Sequence, residues 1–324
     1  MPSEIAPEDY ERLGLSPELY RGLNSPNYFT IYPPVNQVSF AIAALPHQLL
    51  ASVWLLKLSI LIAEVLSLFL IIHLLSVWKK PLWWAGYYAL NPLVIIELTG
   101  NIHFEAWMVC GLLGSLAFLA SRQWVWAALA FGIAIASKLL PLLLLPFFIR
   151  KLGWSKSLAF GAIAVAPTIA GFALMPQPEA VLNIFNSIGL YFENFEFNAA
   201  VYRWLLWLGA DGLIWGKVLG LIAAGGILAL AFFRKRIQII ELPVEFLLAL
   251  SMYFFLARIV HPWYICPLVA LAGFGSFRFP VVWTALLPLT YLTYQTEEYQ
   301  QPYEIMTLCW LIVLGLAWRE FRKK

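Results

Sequence analysis

The chain predicts an all-α polytopic integral membrane protein of about eleven transmembrane helices. Three observations carry this. The 324 residues are 62% hydrophobic, 16% aromatic and only 12% charged, far from the soluble balance. The apolar stretches are continuous, where a membrane barrel needs short alternating segments. Most of the basic residues fall on one side of the resulting layout, as the positive-inside rule requires.

Taken in order, residues 1–34 form a polar, proline-bearing N-terminal segment with Glu4, Glu8, Asp9, Glu11 and Glu18, and they read as a separate outer-face unit ahead of a multi-helix domain over 35–324. This start shows no signal peptide and no leading transmembrane helix. An amphipathic piece from Asn36 to about His47 is too short to span and fits the interface. The first span runs from about Ser52 to Trp78, with Lys57 and Glu64 on one helix face where they pair, and Lys79-Lys80 closes it. Further spans read as 82–98, 104–120, 123–137, 139–149, 157–175, 213–233, 242–258, 263–277, 280–294 and 303–318. Phe195–Leu208, with Arg203 and several aromatics, reads as an interfacial helix.

Charge placement orients these segments. Lys79, Lys80, Arg122, Arg150, Lys151, Lys156, Arg234, Lys235, Arg236, Arg278, Arg319, Arg322, Lys323 and Lys324 share one side, which is then cytoplasmic. The opposite side holds the N-terminal segment, the Gly100-Asn101 turn, the loop of about 176–198, Arg258 to His261, and Thr296-Glu297-Glu298. The N-terminus is therefore outside and the C-terminus inside. Joining the two short spans at Ser137-Lys138-Leu139-Leu140-Pro141 into one kinked helix would put Arg122 on the wrong side, so they stay separate. The polar motifs converge on the outer face.

The densest of these motifs is Asn91-Pro92 through Glu105, an apolar segment carrying Glu97 that ends in Thr99-Gly100-Asn101 with His103 and Glu105 close behind. Ionisable groups in a bilayer are costly and persist mainly where they face an interior or a water-filled cavity. Cys110, Cys266 and Cys309 lie in apolar runs without metal-ligand spacing and read as small hydrophobes. No nucleotide-binding glycine loop, HExxH or GxSxG occurs.

Ile31-Tyr32-Pro33-Pro34-Val35-Asn36-Gln37, Asn91-Pro92 through Gly100-Asn101-Ile102-His103-Phe104-Glu105, Lys138-Leu139-Leu140-Pro141, Phe197-Asn198 and His261-Pro262-Trp263-Tyr264 occur in that order. Together they resemble the GT-C glycosyltransferases, in particular bacterial mannosyltransferases that use polyprenyl-phosphate sugars, and the subunit that adds the first mannose to GPI anchors. The resemblance covers nearly the whole chain. It implies transfer of mannose from a lipid-phosphate donor to a glycan or lipid acceptor outside the cytoplasmic (inner) membrane. The family pattern also has a transmembrane helix and a long outer loop with an acidic catalytic residue before Tyr-Pro-Pro. This sequence starts inside that loop, which implies a truncated start, a partner subunit supplying the missing piece, or an inactive chain.

The chemistry assigns roles. Glycosyl transfer needs a carboxylate to take the proton of the acceptor hydroxyl, and donors or cations to stabilise the departing phosphate. Glu105 is the candidate base, with His103 beside it as a second catalytic candidate; the competing reading of Glu105 is an acid at the positive end of a helix dipole. Arg258, His261 and Lys138 are the candidates for the donor phosphate, Arg258 because its planar fork donates two hydrogen bonds at once. Lys138 alternatively pairs with Glu97 or snorkels. Tyr32, Asn101, Asn198, Trp263 and Tyr264 are candidates to line the acceptor and lipid site, against which composition favours an interfacial anchor for Tyr264 and a helix-start role for Tyr32. No resident cofactor follows from the motifs, and a divalent metal bridging phosphate and carboxylate is compatible with them. Two other classes fit the composition. One is a polyprenyl-linked sugar transporter, against which stands the lack of an internal repeat; the other is a non-catalytic subunit. No nucleic-acid partner is indicated.

Overall fold

The computed structural model describes residues 21–22, 30–174, 182–187, 189, 195–233, 238–295 and 299–323. The acids Glu4 to Glu18, most of the 176–198 loop, Arg234 to Arg236, Thr296 to Glu298 and Lys324 lie outside the described residues. Among the described residues the fold is helical without a strand, and Phe197 and Ile259 form one isolated parallel bridge.

The helices are α1 Pro34–Ala44, α2 Leu49–Val77, α3 Glu105–Ala120, α4 Trp124–Ser137, α5 Pro146–Leu152, α6 Trp154–Ala173, α7 Val201–Trp207, α8 Gly212–Phe233, α9 Leu242–Leu256, α10 Cys266–Gly275, α11 Phe279–Leu286 and α12 Tyr303–Phe321. Four stretches, Leu49–Val77, Trp154–Ala173, Gly212–Phe233 and Ile239–Leu256, are long and apolar enough to cross a membrane. A fifth is added if Pro92–Gly100 and Glu105–Ala120, bent by 112° at their junction, count as one broken span. Trp54, Leu58 and Phe69 of α2, exposed on one long apolar helix, mark a surface for lipid rather than water.

Prolines account for why apolar runs of similar composition stay shorter. Pro141, Pro262 and Pro288 each open a 3-10 stretch, and Pro146, Pro267 and Pro280 each open a short α-helix. A proline removes a backbone donor and clashes with the preceding turn, so it sits at a helix start and ends what comes before. The stretch read as a span over 82–98 is likewise a string of short turns, at Leu82–Ala85, Gly86–Ala89 and Pro92–Val94, running into a π-helix at Ile95–Gly100. Asn91 restarts the chain there. Its Oδ1 accepts from the backbone N–H of Leu93 and Val94 while its Nδ2 donates to Thr284 Oγ1 at 2.8 Å.

The helices sort charge to two ends. α3 and α4 form a hairpin with Arg122 in its turn, so Glu105 and Lys138 meet at its open end. At the opposite end Lys79 and Lys151 line one groove with Gln238, Lys80 donates to the carbonyl of Phe274, and Glu320 caps the backbone of Arg278 and Phe279.

Two sequence expectations change. Glu64 does not pair with Lys57; it accepts from the hydroxyl of Tyr88, an uncharged donor that lies closer in the packed interior. The Phe195–Leu208 segment is helical only from Val201, because Phe197 exchanges backbone hydrogen bonds with Arg258 and Val260. The α1 helix lies against the bundle. An added Cβ on Gly171 of α6 would fall 2.3 Å from Pro34 Cβ, so only glycine lets that proline approach.

Candidate active site

Glu105 opens α3 and is 1% exposed. It makes no capping bond. Its Oε1 meets Lys138 Nζ at 2.9 Å, and its Oε2 has no hydrogen-bond partner. Lys138 ends α4 in extended backbone, which Leu139-Leu140-Pro141 enforces by starting a new turn. Its ammonium also lies 5.7 Å from the Tyr32 ring and 5.3 Å from the Tyr264 ring. A cation facing aromatic rings gains from their quadrupoles when water is excluded. Glu105, Lys138 and Tyr264 border a cavity of ≈ 310 Å³, walled also by Ile31, Pro33, Met108, Leu139, Leu140, Leu143, Tyr253 and Phe254.

Glu97 has a different set of partners from the one expected. It is fully buried and accepts from the hydroxyl of Tyr291, from Asn101 Nδ2 at 3.3 Å and from His103 Nε2 at 3.5 Å. Lys138 belongs to Glu105, because the α3–α4 hairpin aligns those two ends. Between Asn101 and His103, Ile102 holds φ at 62°. A β-branched residue there is strained, and such strain persists only where surrounding contacts overdetermine it. Here the Glu97 cluster fixes the turn on one side and the aromatic packing of Phe104 with Tyr32 and Phe40 on the other.

The second grouping is a column of rings. His103 stacks on Trp263 at 3.8 Å, Trp263 on His261 at 4.4 Å, and His261 on Phe197 at 4.7 Å. Burial first, then the charges of Lys138 and His103, push the His261 imidazole down to about 3. It is therefore neutral, able to donate one hydrogen bond but without the cationic pull expected for a phosphate ligand.

Arg258 stands apart from this column. Its guanidinium lies 5.0 Å from the Tyr202 ring, and it lines a neighbouring cavity with Lys217. Asn198 is occupied in joining segments. Its backbone N–H donates to Gln301 Oε1 and its Nδ2 to the Val260 carbonyl, while Trp310 Nε1 donates to its two oxygens. Among the described residues no group of three or more His, Cys, Asp and Glu gathers as metal ligands.

Glu105, Lys138, Tyr32 and Tyr264 thus come together, His103, Trp263 and His261 form the adjoining column with Asn101 beside it, and Arg258 and Asn198 lie outside that cluster. Sequence reasoning missed Tyr291, Tyr253 and Lys217. For Lys217 a signal existed, since a lysine inside an apolar span is a functional pointer by itself.

A carboxylate with a free oxygen, a lysine and aromatic walls around a largely apolar space suit transfer of a group between polar and lipid partners. Residues 29–153 match the MptA_B family, described as alpha-(1->6)-mannopyranosyltransferase, N-terminal domain. The match fits a GT-C mannosyltransferase, and the family is one of glycosyltransferases. It spans Tyr32, Asn101, His103, Glu105 and Lys138, while Arg258 and His261 lie beyond it. No curated protein and no solved structure matches the chain.

Proposed function

We propose that the protein transfers mannose from a polyprenyl-phosphate donor to a glycan or lipid acceptor at the outer face of the cytoplasmic membrane. The observation that carries the reading is Glu105, a buried carboxylate at a cavity wall with one oxygen on Lys138 and the other unfilled. In the reaction the bond from the sugar C1 to the phosphate oxygen breaks and a bond from C1 to the acceptor oxygen forms. The acceptor proton passes to the unfilled oxygen of Glu105, and the lipid phosphate leaves as an anion. Lys138 and Arg258 supply positive charge toward that anion. His261 contributes at most a neutral hydrogen bond, and with His103 and Trp263 it holds the wall on the acceptor side, beside Asn101, with Tyr32 and Tyr264 lining the lipid path.

The outer-face assignment is supported by the gathering of Lys79, Lys80 and Lys151 at the end opposite Glu105. Arg122, in the turn between α3 and α4, lies at the end of that hairpin away from Glu105 and Lys138.

The test is transfer by the purified protein in liposomes, given radiolabelled polyprenyl-phosphate mannose and an oligomannoside acceptor. Glu105→Gln should lower the rate by about 10²-fold, the range for losing a general base. Transfer undiminished in Glu105→Gln, or no transfer by the wild type, overturns the reading.

A further inference from the structure

Glu97 is a buried acid that the transfer scheme leaves unused. It sits in the π-helix at Ile95–Gly100, and three donors converge on it: the Tyr291 hydroxyl, Asn101 Nδ2 at 3.3 Å and His103 Nε2 at 3.5 Å. Tyr291 comes from the distant stretch Leu287–Tyr294, while Asn101 and His103 belong to the turn that leads into α3. A carboxylate only accepts hydrogen bonds, so each of these side chains commits a donor to it. That commitment decides what the turn has left to offer. With the hydrogen on Nε2, a neutral His103 ring keeps Nδ1 as an acceptor. With Nδ2 spent on Glu97, Asn101 keeps its carbonyl oxygen as an acceptor. Asn101 is exposed and His103 is partly so, and the His103 ring is held flat on Trp263, with 13° between their planes.

We infer that Glu97 is a positioning residue, which sets Asn101 and His103 as hydrogen-bond acceptors for hydroxyls of the sugar that receives the mannose. A buried carboxylate is a costly way to staple a turn, and an amide of the same shape would be cheaper. Glutamine, however, would turn amide hydrogens toward some of these donors and favour the opposite tautomer of the ring. The acid is therefore what keeps both acceptors in place. Two acceptors backed by a carboxylate repel a phosphate and suit hydroxyl donors, which separates this rim from the groups that meet the leaving anion. The strained Ile102 fits the same purpose, since it carries the chain from Asn101 to His103, two residues before Glu105. The inference rests on the mannosyltransferase reading and names how that site takes its acceptor.

The experiment has a spectroscopic and a kinetic arm, both on the full chain in lipid. The sequence holds four histidines, so ¹⁵N-histidine labelling with solid-state NMR isolates the His103 signals by difference from His103→Phe. At about pH 7.5 the wild type should show a neutral His103 ring with its hydrogen on Nε2, and Glu97→Gln should move that hydrogen to Nδ1 in part of the rings. A wild-type ring with hydrogen on Nδ1, or on both nitrogens, overturns the inference, and this spectrum decides even where Glu97→Gln does not fold. In the transfer assay His103→Phe keeps a ring against Trp263 and should raise KM for the oligomannoside acceptor about 10-fold, the loss of one hydrogen bond, with a smaller change in kcat. Glu97→Gln should raise the same KM by at least as much. The double variant should fall well short of the product of the two, because Glu97 acts through His103. Independent, multiplying effects would mean that Glu97 only supports the fold, and would overturn the inference. A wild type that transfers no mannose overturns the proposed function. A wild type that transfers mannose while Glu97→Gln keeps its acceptor KM overturns this inference alone.

Discussion

Lys138 Nζ stands 2.9 Å from Glu105 Oε1, joining the last residue after α4 to the first of α3 at the open end of their hairpin. The pair has a structural and a chemical side, and substitutions separate them. Lys138→Met leaves a nearly inaccessible carboxylate without its cation and should cost about 3–5 kcal/mol. The double change Glu105→Leu with Lys138→Met removes both charges and should return the thermal midpoint close to wild type, because a buried pair often exchanges for apolar groups at little cost. Transfer should stay lost in the double variant. Recovery of transfer together with stability would reduce Glu105 to a packing role.

The neutral His261 gives a pH dependence with a definite sign. Its ordinary value is 6.5 and burial lowers it to about 3 in the folded protein. Between those values the unfolded chain takes up a proton that the folded chain refuses. Its contribution is therefore intact above about pH 6.5 and is lost as pH falls towards 3, at about 1.4 kcal/mol per pH unit. Lys138 and His103 act on the ring in the same direction as burial. His261→Phe keeps a ring between Trp263 and Phe197 and removes the proton site. Its thermal midpoint should fall less steeply than the wild type's between pH 6 and pH 4.5, and parallel curves would show that His261 does not titrate as described.

Gly171 links the fold to the site through Pro34. A methyl group there would fall 2.3 Å from Pro34 Cβ and 2.7 Å from Pro34 Cγ, atoms of a rigid ring that cannot swing aside. Gly171→Ala should push α1 outward, costing about 1–3 kcal/mol as overpacking does. Pro33 and Ile31, which wall the Glu105 cavity, precede that helix directly. Transfer should fall along with the midpoint, and a fully stable Gly171→Ala protein would mean that α1 has another seat.

Much of this was legible before the structure. The break after Ser137, the turn at Gly100-Asn101 and the two-ended distribution of charge follow from proline, glycine and lysine positions that act locally. What escaped was partnership across distant elements. Glu97 and Tyr291 are 194 residues apart, and no spacing rule connects them. For the same reason the sequence offered Glu97 as the carboxylate for Lys138; only the α3–α4 hairpin decides for Glu105. Helix lengths were overread because hydropathy averages across Pro141, Pro267 and Pro288, whereas the backbone changes course at each. The aromatic run before Val201 was overread as helix, since its composition suits an interface while its backbone pairs with Ile259 and its neighbours.

Tyr253 lines both the cavity beside Arg258 and the cavity beside Glu105 and Lys138, and its part in the proposed transfer is testable without touching those groups. In that transfer a flat ring beside both restricts the path of the sugar between the leaving phosphate and the base. Removing it by Tyr253→Ala merges the two spaces and lets the sugar miss the acceptor. Misplacement by about 1 Å costs about 10²-fold in rate, so kcat should fall by that order. Tyr253→Phe keeps the ring and discards the hydroxyl, and it should transfer nearly as well as wild type. A Phe variant as poor as the Ala variant would transfer the role from the ring's shape to its hydroxyl. An Ala variant with normal kcat would mean that sugar and base find each other without the partition.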